Sequence, residues 1–185
     1  MALGWKRIAR RIRVPLGFVF AVFYFWMARP SWIFLGVSLI LVVPGLLLRG
    51  YASGYVKKNA ELTVTGPYAY TRNPLYLGSM LIAAGFAVAA QSIWIAVVLV
   101  VLFLAIYIPV IRGEEEYLRS AFPGFDAYTA RVPRLIPRIT PARQHDGEAG
   151  VFSGALYRKH REYNALLGGV AMYAALILKL IFAKR

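Results

Sequence analysis

The chain has 185 residues, of which 59% are hydrophobic and only 16% charged, so it carries more apolar surface than one soluble domain of this length can bury. This composition excludes a soluble enzyme and predicts an all-α integral membrane protein. The net charge of +14 comes from basic residues clustered at the ends of apolar segments, so anionic lipids are the expected partner and nucleic acid is not.

Five apolar segments predict about five transmembrane helices. In chain order they are 14–28, 31–48, 74–90, 92–111 and 165–183. About 20 residues are needed to cross a hydrocarbon core of about 30 Å, and all the segments except the short first one meet that length. We interpret the first segment as a retained span, because Pro30 and Trp32 make a poor site for signal cleavage.

The distribution of charge predicts the orientation of the chain. Three polar segments, 1–13, 49–73 and 112–164, hold 5, 4 and 9 of the 22 Lys and Arg residues, together with all 8 acidic residues. Basic segments remain on the cytoplasmic side of a membrane. The N-terminus and any active site are therefore expected on the cytoplasmic face, and the size of the chain suggests a prokaryotic plasma membrane.

The segment before the third apolar stretch reads GPYAYTRNPLYLG over residues 66–78. Asn73 is a favoured N-cap and Pro74 a favoured first helical residue, so Arg72, Asn73 and Pro74 can simply begin a helix. Free N–H groups at a helix start beside an arginine can also bind an anion. Spacing alone leaves both interpretations open.

Three consecutive acids, Glu114–Glu116, follow the fourth apolar segment. They can form a solvated helix face on which Glu115 pairs with Arg119, or they can be functional, as ionised groups at membrane depth often are. The middle hairpin has a two-residue connection, so Asn73 and Glu114 must emerge on the same side of the membrane.

Carboxylates, an arginine, several tyrosines and a helix start in one place suit a ligand with an aromatic base, hydroxyls and charges of both signs. S-adenosylmethionine has this chemistry. No GxGxxG follows a predicted strand, so a Rossmann-type cofactor site is not available. No metal site is expected either, because the chain has no cysteine and its two histidines, His145 and His160, lack a ligand spacing.

The ordered motifs resemble the membrane methyltransferase superfamily that includes isoprenylcysteine carboxyl methyltransferases and phospholipid N-methyltransferases. The resemblance covers about residues 62–137 and rests on RNPLYLG (72–78), EEEYL (114–118), FPGFDAY (122–128) and VPRLIP (132–137). It implies a cytoplasm-facing pocket for S-adenosylmethionine, roofed by the segment after the paired acids. The domain organisation it implies is an N-terminal hairpin (1–48), a methyltransferase core (49–141), and a linker with a C-terminal helix (142–185).

Position by position, the resemblance implies that ten residues contact the cofactor: Leu62, Thr63, Tyr68, Arg72, Asn73, Pro74, Leu75, Tyr76, Glu114 and Glu115. Glu114 and Arg112 are the predicted catalytic residues. The prenylcysteine enzymes use an arginine for the acceptor carboxylate where this chain has Val110, and Arg112 is the nearest cation. These enzymes also have histidine where this chain has Asn73, although other branches have asparagine there.

The leading hypothesis is methyl transfer to a membrane-embedded lipophilic acceptor, which is a prenylated or lipid carboxylate or a lipid amine. Two alternatives stay open: a non-catalytic protein that binds anionic lipids, and a membrane reductase of related architecture that uses a nicotinamide cofactor. The last apolar segment is either an extra anchor, or a wall of the acceptor tunnel, or a pairing surface through Gly168 and Gly169. The sequence leaves the oligomeric state open.

Overall fold

The computed structural model describes residues 19–57, 61–142 and 150–182, and within these ranges the chain is helical and contains no strand. The start of the first predicted span, the linker residues 143–149 and residue 183 of the last span lie outside the described residues. We number the helices in chain order: α1 (described from 19 to 27), α2 (Trp32–Ser53), α3 (Pro74–Ala90), α4 (Ile93–Leu102), α5 (Ile108–Ala121), α6 (Phe125–Arg131), α7 (Gly154–Lys159) and α8 (Tyr163–Phe182).

Among the described residues, three helical stretches are long and apolar enough to cross a membrane: Trp32–Ser53, Ile93–Ala121 and Tyr163–Phe182. At most 22% of any of these windows is buried against the rest of the chain, which leaves their apolar side chains for lipid. Helix α3 is apolar but has only 17 residues. The prediction of an all-helical membrane protein is therefore confirmed, whereas the number of five spans and the orientation remain predictions.

Two helices extend further into the polar segments than the hydropathy pattern predicts. Helix α2 ends at Ser53 rather than at residue 48, and the fourth span continues to Ala121 rather than ending at residue 111. Hydropathy marks where a helix leaves lipid, and nothing in either extension breaks the helix. The fourth span contains a π-helical segment, Phe103–Tyr107, which ends two residues before Pro109. The proline ring is incompatible with regular α-helical hydrogen bonding to the preceding turn.

Glycines allow α2 and α3 to pack closely. A Cβ atom at Gly45 would lie 2.7 Å from the Gly78 carbonyl oxygen, and one at Gly78 would lie 2.8 Å from the Gly45 carbonyl oxygen. A Cβ at Gly85 would similarly lie 2.9 Å from the Ser38 carbonyl oxygen. This close contact fixes the start of α3 beside the end of α2, at the end of the bundle that we call the polar end.

Helix α8 packs against α2 along the bundle. The Tyr173 hydroxyl lies 2.6 Å from the Ser38 hydroxyl. A Cβ atom added at Gly169 would lie 3.6 Å from Leu46 Cδ1, so the two helices are in contact there as well. Near the far end, the Lys179 ammonium donates to the carbonyl oxygens of Phe25 and Trp26, where α1 is ending. The last span is thus packed into the described bundle by contacts at both ends, and Gly168 has open space beside it.

Candidate functional site

A cavity of about 480 Å³ lies at the polar end, between the start of α3, helix α5 and the segment before α8. This volume is within the range of small-molecule sites. All ten residues that the resemblance implied as cofactor contacts line it: Leu62, Thr63, Tyr68, Arg72, Asn73, Pro74, Leu75, Tyr76, Glu114 and Glu115. Arg112, predicted as catalytic, is exposed on α5 and does not line the cavity.

The segment after α6 forms a roof that is fastened to the start of α3. The Arg72 backbone N–H donates to the Pro133 carbonyl at 2.9 Å, and the Arg138 N–H donates to the Tyr70 carbonyl at 2.9 Å. The buried Thr71 hydroxyl donates to the carbonyls of Arg134 and Leu135, at 3.2 and 3.1 Å. Beneath this segment, Phe125, Tyr128 and Val132 form a small apolar core.

Asn73 stands at the N-cap position of α3 and Pro74 is the first helical residue, as the sequence predicts. The Asn73 side chain nevertheless makes no capping hydrogen bond. Its amide Nδ2 donates to the Arg134 carbonyl at 3.1 Å, so it helps to hold the roof.

Glu115 is the buried carboxylate of the site, with 7% of the residue exposed. The Arg134 guanidinium donates to it from Nη2 at 2.6 Å and from Nε at 3.0 Å, and Arg72 Nη2 lies 3.5 Å from its other oxygen. The alternative in which Glu115 pairs with Arg119 on a solvated helix face is not what the structure shows, because Arg119 pairs with Asp126 at 2.7 Å on the exposed side of the helix. Hydrogen bonding to Glu115 raises the pKa of Arg134, so the guanidinium stays charged at physiological pH.

Arg72 retains hydrogen-bonding capacity inside the site. Its Nε atom is buried and has no hydrogen-bond partner, and the residue lines the cavity. An unsatisfied buried donor on a cation is costly and is the kind of group that a bound anion satisfies. This donor therefore fits the carboxylate of an amino-acid-containing ligand.

Glu114 and Tyr76 are held together at the mouth of the cavity. The Tyr76 hydroxyl donates to Glu114 Oε1 at 2.9 Å, and the Tyr76 ring makes an edge contact with Tyr107 at a centroid distance of 5.8 Å. Glu114, unlike Glu115, makes no ion pair within 4 Å among the described residues. It is therefore available to a ligand that carries hydroxyl or ammonium groups.

Two tyrosines below the roof are kept neutral. A tyrosine hydroxyl is already protonated at physiological pH, and burial raises the pKa of Tyr68 and that of Tyr128 further above that range. The Tyr128 hydroxyl donates to the Tyr68 carbonyl at 2.7 Å. This bond links α6 to the short 3₁₀ turn Gly66–Ala69, and so fixes the Tyr68 backbone at the cavity.

A second, apolar cavity of about 170 Å³ lies between α3, α4 and the π-helical segment. Its lining is Phe20, Tyr76, Ser79, Met80, Ala83, Leu99, Leu102, Phe103, Ile106 and Tyr107. Tyr76 lines both cavities, so the apolar cavity and the polar-end cavity meet at this ring.

Sequence reasoning missed several cavity residues. Arg49, at the end of α2, and Glu162, just before α8, both line the cavity and pair with each other at 2.8 Å. Arg49 belongs to a basic span end, which is the usual pattern for lipid contact, and no motif marks Glu162. Lys57 and Glu61 also line the cavity and form an exposed pair at 2.9 Å.

Metal ligands are not grouped in the part of the chain that the structure describes. Over residues 19–57, 61–142 and 150–182, no group of three or more His, Cys, Asp or Glu side chains is placed to hold an ion.

The fold and the site together define a helical membrane protein with a ligand cavity at one end of its bundle. The model of the phospholipid methyltransferase family matches residues 13–124, and the chain belongs to this family. This assignment confirms the resemblance that the motifs indicated. No solved structure matches the chain.

Two curated relatives are similar to the chain. The cobalt-zinc-cadmium resistance protein CzcN of Cupriavidus metallidurans is 36% identical over 138 residues, which cover 69% of this chain and 62% of the relative. The nickel-cobalt-cadmium resistance protein NccN of Alcaligenes xylosoxydans xylosoxydans is 39% identical over 90 residues, which cover 49% of this chain and 41% of the relative. The chain thus matches about three-fifths and two-fifths of these relatives' lengths.

Proposed function

We propose that the chain transfers a methyl group from S-adenosylmethionine to a lipophilic acceptor within the membrane. The observation that carries the proposal is the convergence on one cavity of all ten residues that the resemblance implied, in a chain of the phospholipid methyltransferase family. The positive-inside pattern of the sequence supports a cytoplasmic position for this cavity in a prokaryotic plasma membrane.

The side chains of the cavity fit the parts of this cofactor. Arg72, with its unsatisfied Nε, would hold the carboxylate, and Glu114 would accept hydrogen bonds from the ribose hydroxyls or the ammonium group. The rings of Tyr68 and Tyr76 would attract the sulfonium, by ~1–2 kcal/mol for a desolvated cation. Glu115 is already held by two arginines, so its role is to fix the roof and Arg72.

When bound, S-adenosylmethionine supplies a methyl group already activated by the sulfonium, so the protein's main contribution is to position the two reactants. A carboxylate acceptor is ionised at neutral pH and needs no base. An amine acceptor must lose a proton, and Glu114 is the cavity carboxylate without an ion pair among the described residues. The identity of the acceptor atom is therefore a question for experiment, in which lipid carboxylates and lipid amines are the two classes of acceptor to compare.

The apolar cavity supports an acceptor that arrives from the bilayer. Nearly all of its lining is aliphatic or aromatic, and it meets the polar-end cavity at Tyr76. An acyl or prenyl chain in this cavity would bring its polar end to the Tyr76 ring. Arg112 lies outside both cavities, so its predicted role in catalysis remains a prediction, which Arg112→Ala tests as a loss of turnover with cofactor binding retained.

Calorimetry of the detergent-purified protein with S-adenosylhomocysteine tests the proposal. We expect micromolar binding, lost in Glu114→Gln and in Tyr76→Ala and unchanged in Lys159→Ala, whose side chain is exposed on α7. Folded wild-type protein that does not bind would overturn the proposal. Binding of a nicotinamide dinucleotide instead would favour the reductase, and binding of neither ligand, with retention on anionic vesicles, would favour a lipid-binding protein.

The curated relatives suggest a setting for this activity. Both are named for resistance to metal ions, cobalt and cadmium among them. We propose that methylation of a membrane component by this chain contributes to such resistance. Expression of the wild-type chain in a cobalt-sensitive bacterium should raise tolerance to cobalt, and expression of the Glu114→Gln variant should not. Equal tolerance with the two chains would mean that the resistance does not depend on the cavity.

A further inference from the structure

The C-terminal part of the chain supplies a side chain to the cavity. Glu162 lies directly before α8 and lines the cavity, with 11% of its side chain exposed. The family match ends at residue 124, so Glu162 is outside the segment that defines the family.

Glu162 is bound by a guanidinium fork. Arg49 donates from Nε to Oε2 at 3.1 Å and from Nη2 to Oε1 at 2.8 Å. The remaining nitrogen, Nη1, donates to the Leu75 carbonyl at 3.3 Å and to the Ser79 hydroxyl. One arginine therefore joins the segment before α8 to the first two turns of α3.

These first two turns carry the ligand-facing wall of the cavity. Tyr76, which holds Glu114, lies between the two residues that Arg49 contacts. The Arg49 stem also lies against Gly78, where a Cβ atom would be 2.7 Å from Arg49 Cγ. The direction of the Arg49 side chain thus sets the position of this wall.

The segment before Glu162 is itself fixed to the end of α2. The Ser153 N–H donates to the Gly54 carbonyl at 2.9 Å, and His160 Nδ1 lies 3.0 Å from the Ser53 carbonyl. The Phe152 ring stacks on Tyr51 at a centroid distance of 6.0 Å. These contacts hold Glu162 at the cavity independently of any ligand.

We propose that Glu162 is a positioning residue of the cofactor site, which acts through Arg49 to fix the start of α3, so that the C-terminal helix is part of the methyl-transfer unit and not a separate anchor. The inference rests on the proposed function. Glu162 does not need to touch the cofactor, because its effect passes through the Arg49 fork to the wall that carries Tyr76.

Affinity for S-adenosylhomocysteine, measured by calorimetry, tests the inference. Glu162→Gln should weaken binding about tenfold, because the charge-assisted fork is worth on the order of this factor. The matched control is Asp126→Asn, which makes the same change in an exposed ion pair whose two residues do not line the cavity. There 69% of the aspartate side chain is exposed, and the change should alter affinity less than twofold.

Two further variants separate positioning from folding. Glu162→Asp keeps the charge and should recover most of the lost affinity. Ser79→Ala removes a contact of Arg49 without leaving a charge unpaired, and should weaken binding about threefold while the ligand-free protein keeps its melting temperature. If the wild type binds while Glu162→Gln and Ser79→Ala bind equally well, the inference is wrong; no binding by folded wild type would overturn the proposed function itself.

Discussion

Two carboxylates of the cavity are held by arginine forks, and different parts of the chain bring each pair together. Glu115 is held by Arg134, 19 residues further along the chain, within the segment that the motifs cover. Glu162 is held by Arg49, 113 residues away, and this pair joins the end of α2 to the segment before α8. The Glu115–Arg134 pair, which we call the roof fork, fastens the roof over the cavity. The Glu162–Arg49 pair, which we call the wall fork, fastens the wall of the cavity at the start of α3 to the last helix.

A contiguous stretch of motifs contains one of these two ion pairs but not the other. The roof, Arg72 and Glu115 all belong to the motif-bearing segment, so the Glu115 fork is built by local chain geometry. The Glu162 fork depends on the packing of α8 along α2, and no short sequence pattern specifies that packing. Both forks should therefore contribute to stability, because both carboxylates are largely buried, and the wall fork should also affect ligand binding through the start of α3.

The largest expected effect comes from Glu115→Gln. The change leaves the Arg72 and Arg134 guanidiniums without their carboxylate, and breaking a buried pair costs about 3–5 kcal/mol. Because 44% of the Arg134 side chain is exposed, we expect a smaller loss, of about 2–3 kcal/mol, and a melting temperature lower by about 5–10 °C in detergent. Glu116→Gln, at the exposed neighbouring position, is the control, and equal melting of the two variants would show that the roof fork is not stabilising.

The sequence predicted which residues line the cavity better than it predicted which of them pair with each other. The helical class follows from the continuous apolar segments and the start of α3 at Pro74 from the Asn-Pro pair. The ten predicted residues that line the cavity follow from the resemblance to the family. The i,i+4 spacing left open a pairing of Glu115 with Arg119, whereas in the structure the buried Glu115 turns towards the roof and pairs with Arg134. Arg49–Glu162 was not predicted at all, since the charge of Arg49 at a span end looks the same whether it contacts lipid or a distant glutamate.

A second variant disturbs the contact between Arg49 and α3 without changing any charge. In Gly78→Ala, the added Cβ would lie 2.7 Å from Arg49 Cγ and 2.8 Å from the Gly45 carbonyl, so α3 must move away from α2. Overpacking of this kind typically costs 1–3 kcal/mol, and we expect about 2 kcal/mol together with weaker binding of S-adenosylhomocysteine. The melting temperature and the calorimetric affinity check these two effects.

Gly168→Ala is the matched control for this change. It introduces the same methyl group into α8 at a position with nothing within 4 Å, where replacing a helical glycine stabilises by about 0.5–1 kcal/mol. A Gly78→Ala variant as stable as the wild type and with unchanged affinity would mean that the position of α3 does not depend on its contact with Arg49.

The smallest expected effect concerns the roof and depends on pH. In Tyr128→Phe the Tyr68 carbonyl loses its 2.7 Å hydrogen bond, which should cost about 1 kcal/mol at pH 8. Burial raises the pKa of Tyr128 in the folded protein, so above the ordinary tyrosine pKa of about 10 the unfolded chain ionises first and the wild type loses stability. Phenylalanine does not ionise, so the advantage of the wild type should shrink by about 1.4 kcal/mol per pH unit and vanish near about pH 11. Melting temperatures of both proteins between pH 8 and pH 11 measure this convergence, and parallel curves would show that the Tyr128 hydroxyl does not hold the roof in its buried position.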